Sequence, residues 1–103
     1  MARPVPVRIT ITEIMGTGIC SQGYRVGDSW LVEKNVTPTN LCMTAFNALY
    51  PALRTLRYGG ETPFGEKDVT HIGCPDVKHV VVFELQRLRP DTGPGAAADQ
   101  AAP

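Results

Sequence analysis

The stretch "LCMTAFNALYPALRTLRY", residues 41–58, carries apolar residues at 42, 46, 49, 53 and 56. Steps of four and three place them on one face of a helix. A single amphipathic helix has one stripe to bury, so the rest of the chain must supply the surface that covers it. Pro51 lies inside the stretch. It removes a backbone donor and crowds the turn before it, which predicts a kink or a split into two shorter helices. Thr37 ahead of Pro38, or Asn40 alone, has the chemistry to cap the start. Gly59-Gly60 suits a left-handed stop.

On both sides of the helix the period changes to two. In residues 5–14, Val5, Val7, Ile9 and Ile11 share one face, while Arg8, Thr10 and Thr12 share the other. That is the pattern of a half-buried strand. Gly27-Asp28 marks a turn, after which Trp30 and Val32 begin a second strand. Residues 69–74 alternate again. Pro75 removes a ladder donor and Asp76 can bond the turn backbone, so 75–79 reads as a hairpin turn. Residues 80–88 form a strong strand with Val81, Phe83 and Leu85 on one face. The order β-β-α-β-β predicts an α+β fold: a small, largely antiparallel sheet with one helix, kinked at Pro51, packed on its apolar face.

Residues 1–88 read as a single domain. The stretch 89–103, "RPDTGPGAAADQAAP", has no large apolar residue and reads as a disordered tail. A core this small is modest, so a bound ligand or a homo-oligomer that covers the sheet edges would help it. Ten basic and ten acidic residues cancel. The densest basic spots, Arg54/Arg57 and Arg87/Arg89, are short, which argues against a nucleic-acid partner. No apolar run approaches the roughly 20 residues of a membrane helix. "MARPVPVRI" lacks an apolar leader core, so a cytoplasmic protein is expected. Three cysteines are an odd number, and reduced thiols are the default in that compartment.

Cys74 lies on the face of Ile72 at a strand end. It can pack as a small apolar residue or serve as a thiolate ligand, although Asp76 nearby disfavours the thiolate. Cys42 lies on the helix stripe with Phe46 and Leu49. It too can pack, but the free N–H groups and dipole of a helix start favour a thiolate there. Cys20 sits among Gly, Ser, Thr and Gln, where packing explains it less easily. His71 is three residues before Cys74, but on an alternating strand the two face opposite sides, unless the strand breaks at Gly73. His79 and Asp28 fit turn roles. Tyr24, Tyr50 and Tyr58 could supply phenols, with nothing to place them in one pocket. "GTGICSQG", residues 16–23, lacks the spacing of a phosphate-binding loop. No C-x₂₋₄-C pair is present. If the chain simply alternates direction, Cys42 and Cys74 share one end of the sheet and Cys20 leaves from the other. The loop 59–68 is long enough to recross, spanning about 33 Å at full extension.

The chain resembles a family of small, largely uncharacterised bacterial and archaeal proteins built around three cysteine motifs. The matching stretches are "CSQGYRVGDSW" (20–30), "LCMTAFNALYPALRTLRYGG" (41–60) and "CPDVKHVVVFELQRL" (74–88), so the resemblance covers roughly residues 7–88. It implies that Cys20, Cys42 and Cys74 occupy the family's cysteine positions and that the small α+β fold is shared. It implies no settled activity. Relatives often carry His where this chain has Tyr24 and Asn47, so any role of those histidines is altered here.

Three functions are compatible with these residues. The first is thiolate metal binding through Cys20, Cys42 and Cys74, with His71 or His79 as a fourth ligand and zinc, iron or copper(I) as the metal. The second is a small enzyme acting on an organic substrate, with Cys42 as nucleophile or acid and Asp76 or a histidine assisting. The third is a non-catalytic oligomeric module in which the cysteines only pack.

Overall fold

The period-two segments pair side by side, and the helix lies across them. The computed structural model describes residues 4–16, 22–62, 67–75 and 78–88. Its elements are β1 (Val7–Ile14), β2 (Ser29–Val32), α1 (Met43–Arg57), β3 (Val69–Gly73) and β4 (Val81–Arg87). The four strands form one sheet in the order β2-β1-β4-β3, and every pairing is antiparallel. This is the expected α+β fold. The proposed tail, 89–103, lies outside the described residues.

The two central strands are the ones with the cleanest alternation. Val7, Ile9 and Ile11 of β1 and Val81, Phe83 and Leu85 of β4 point to the helix side and are buried. Ala45, Leu49, Leu53 and Leu56 of α1 close over them. Each large side chain fully buried this way contributes roughly 1.5–3 kcal/mol. Strict alternation in β1 ends at Ile11. There Ile11 pairs with Phe83 but Glu13 pairs with Val82, so Thr12 is the extra residue of a bulge. The bulge brings Ile14 opposite Val81, packed against the core. Alternation alone would have left it on the face of Thr10 and Thr12.

We call the end of the sheet where β1 finishes the upper end. β2 starts near it, with Ser29 opposite Thr10, and finishes low, with Val32 opposite Val7. The last turn of α1 is also low: the Arg57 carbonyl accepts the Val5 N–H at 2.8 Å. The helix therefore starts at the upper end, and residues 33–42 run back along the sheet to reach it. β3 begins low, with Val69 opposite Gln86, and ends high, with Gly73 opposite Val82. Simple alternation of direction is thus overturned. The recrossing falls in 33–42 and not in 59–68, because β2 is too short to do more than deliver the chain to the lower edge.

The helix start also differs from expectation. Neither Thr37 nor Asn40 caps it. Cys42 holds the cap position, without a side-chain cap bond. Asn40 instead takes a left-handed turn (φ 64°) two residues earlier, a conformation asparagine tolerates. The Tyr24 hydroxyl donates to the Asn40 carbonyl at 2.8 Å and accepts the Cys42 N–H. The end matches expectation: Gly59 has φ 85° and the Gly60 N–H returns to the Thr55 carbonyl at 2.8 Å. Between them α1 is one helix that runs through Pro51 and is not split there. Pro51 is exposed and offers no donor to the turn before it. Pro51→Ala is therefore expected to raise stability by about 1–3 kcal/mol, read as a higher urea midpoint. A lower midpoint would mean that packing needs the proline's geometry.

Arg87 completes the inward face of β4 and is 2% exposed. Its Nε donates to Asp68 Oδ1 at 3.0 Å. Its Nη1 donates to the Leu56 and Gly60 carbonyls at 3.0 and 2.9 Å, and its Nη2 to the Lys67 carbonyl at 2.8 Å. One side chain thus ties β4 to the end of α1 and to the chain entering β3. In the sequence it belonged to a short basic pair with Arg89.

Candidate thiol site

Cys74 follows β3 directly and extends its ladder by one bond, from its N–H to the Val81 carbonyl at 2.9 Å. The strand does not break at Gly73. Cys74 therefore keeps the inward face of Thr70 and Ile72 and packs, half-buried, against the core. Its Sγ accepts the Val81 N–H at 3.3 Å and lies 3.8 Å from the His79 carbonyl, to which the thiol can donate.

Cys42 is half-buried and packs against the same core from the helix layer. Its position is set from the sheet upward. Trp30 on β2 tilts against Phe83, with centroids 6.2 Å apart, and its indole N–H donates to the Thr39 carbonyl at 3.1 Å. Tyr24 meets Trp30 edge to face at 5.3 Å and holds the Cys42 N–H. The aromatic stack thus fixes where the helix begins. The sequence marked Tyr24 as a phenol without a place and as a position where the resembling proteins often carry His; no local pattern links it to Cys42, which is distant in sequence.

Cys20 and Asp76 lie outside the described residues. The segments flanking residues 17–21 are anchored at the upper end. On one side, the Met15 N–H donates to the Val80 carbonyl at 2.8 Å. Gly16 (φ 85°) then passes so close to the hairpin that a Cβ there would sit 2.2 Å from the Lys78 carbonyl oxygen. On the other side, the chain reaches Tyr24 and the helix start. Asp28 serves the following turn, accepting the Arg25 N–H at 2.9 Å. The described residues on either side of 17–21 thus meet the hairpin after Cys74, through Met15 and Gly16, and the Cys42 cap, through Tyr24.

His71 is not part of this end. It lies on the outer face of the sheet, 51% exposed, with Nε2 3.3 Å from Glu84 Oε2. Among the described residues, no three His, Cys, Asp or Glu side chains are gathered so as to hold a metal ion. The described part of the structure thus brings Cys42 and Cys74 to one end and His71 to another face. Among the described residues, no helix is long and apolar enough to cross a membrane. Scans against protein-family models, curated proteins and solved structures each find no match.

Proposed function

We propose that Cys20, Cys42 and Cys74 form one thiolate site at the upper end of the sheet and that it holds a zinc or iron ion. The observation that carries this reading is that the described residues on either side of 17–21 meet the hairpin after Cys74 and the Cys42 cap. The donor chemistry fits. Three thiolates suit a soft or borderline metal, and the Val81 N–H donates to the Cys74 sulfur. His71 does not fit, being occupied with Glu84 on the other face. With three protein ligands, such an ion would keep an open position and supply Lewis acidity there. The protein's own part is to fix the sulfurs: the hairpin orients Cys74, and the Tyr24–Trp30 stack orients Cys42. A reducing, cytoplasmic setting keeps the thiols available. The three motifs shared with the small proteins the chain resembles support the same reading.

The test is metal content after anaerobic, tag-free purification. Near-stoichiometric zinc or iron is expected, falling to background in Cys42→Ser and in Cys74→Ser. A wild-type chain with no metal and three titratable thiols rejects the proposal. A second reading rests on Cys42, whose thiol makes no cap bond at the helix start. There it would act as the nucleophile of a small thiol enzyme. Selective alkylation of Cys42 well below a pH of about 8.5 would favour that reading.

A further inference from the structure

Val32, residues 34–37 and one flank of α1 wall a cavity of about 220 Å³. Among the described residues three cations line it, Lys34, Arg54 and Arg57, and no carboxylate does. The rings of Phe46 and Tyr50, with centroids 5.6 Å apart, form part of its apolar wall. Arg57 is 5% exposed. Its Nη2 donates to the Glu33 carbonyl at 3.2 Å, but its Nε is buried with no hydrogen-bond partner among the described residues. The contrast with Arg87 is direct. That guanidinium is buried against a carboxylate and three carbonyls, whereas Arg57 has one carbonyl and no carboxylate.

The ring of Tyr58 holds the two guanidinium groups together, with Arg54 4.9 Å and Arg57 5.8 Å from its centroid. Cations in a last helical turn complement the helix dipole. That role requires neither a buried, unpartnered Nε nor an aromatic wall beside it. Like charges held at a cavity without a counter-charge are a site for an anion.

We propose that this cavity binds a small organic anion. Its carboxylate or phosphate group lies against Arg54, Arg57 and Lys34, and its apolar or aromatic body lies against Phe46 and Tyr50. A cavity of about 220 Å³ has room for a group near the size of a substituted single ring. The site is independent of the cysteines and stands whether or not they hold a metal.

The test is a titration of the full-length, ¹⁵N-labelled protein with benzoate and with phenyl phosphate. Benzyl alcohol and sodium chloride at matched ionic strength are the controls. Saturable shifts are expected at the Arg57 Nε–H signal and at the amides of residues 34–37 and Tyr58. A Kd of about 1 mM or tighter is expected for one of the two anions. Arg54→Gln and Lys34→Gln, both at exposed positions that leave the core intact, are each expected to weaken binding about tenfold. Tighter benzoate assigns a carboxylate ligand, and tighter phenyl phosphate a phosphorylated one. Shifts that do not saturate, that sodium chloride reproduces, or that are unchanged in Arg54→Gln would overturn the proposal.

Discussion

Arg87→Met is expected to lower the unfolding free energy by about 3–5 kcal/mol. The substitution removes the side-chain bonds from Arg87 to the Asp68 carboxylate and to the carbonyls of Leu56, Gly60 and Lys67, while the backbone bond from the Arg87 N–H to the Asp68 carbonyl stays. Methionine fills much of the space, so a large loss would report the polar network and not a cavity. Arg87→Lys should recover only part of it, because an ammonium cannot reach a carboxylate and carbonyls in several directions with a planar fork. Asp68→Asn keeps an acceptor at Oδ1 and should cost about 1 kcal/mol. Small domains have little stability to spare, so the Met variant should be near the edge of folding at 25 °C. Urea midpoints of the three variants decide the matter. A cost below about 1 kcal/mol for Arg87→Met would remove the network from the account of stability.

Gly16→Ala is expected to cost about 2–4 kcal/mol, and Gly27→Ala about 1–2 kcal/mol. Both glycines have left-handed φ, 85° and 100°, so both substitutions carry the conformational penalty. Only at Gly16 would the new Cβ meet backbone, 2.2 Å from the Lys78 oxygen; at Gly27 nothing lies within 4 Å. The difference between the two variants therefore isolates the contact between the exit of β1 and the β3–β4 hairpin. Relieving it must weaken the bond from the Met15 N–H to the Val80 carbonyl. If the thiolate proposal holds, Gly16→Ala also separates the chain bearing Cys20 from Cys74 and loses metal, while Gly27→Ala retains it. Equal stability costs for the two glycines would show that the close approach contributes nothing.

Much of the fold was legible because it is local. Apolar steps of two at Val7, Ile9 and Ile11, and at Val81, Phe83 and Leu85, identify the inward faces of β1 and β4. Steps of three and four from Cys42 to Leu56 identify the buried side of α1. Gly59 announces its own turn. What failed is equally specific. The bulge at Thr12 follows from pairing with β4, which no window around Thr12 contains. The cap at Cys42 follows from a hydroxyl on Tyr24, and neither residue has capping chemistry in its own sequence neighbourhood. Arg87 stood in the sequence only as half of a short basic pair with Arg89, because its acceptors come from the end of α1 and the chain entering β3, which no local window contains.

The candidate thiol site divides along the same line. Residue type alone marked Cys20, Cys42 and Cys74 as candidate positions, and strand alternation alone placed His71 on the face opposite Cys74. That Cys42 and Cys74 share one end of the sheet depended on the direction of each element. Residues 33–42 carry the chain back along the sheet, so α1 starts at the end where β1 finishes and β3 arrives. Side-chain periodicity is a property of neighbouring residues and is written in the chain. The direction in which a connection runs is set by which faces can be buried together, and only the packed structure decides that.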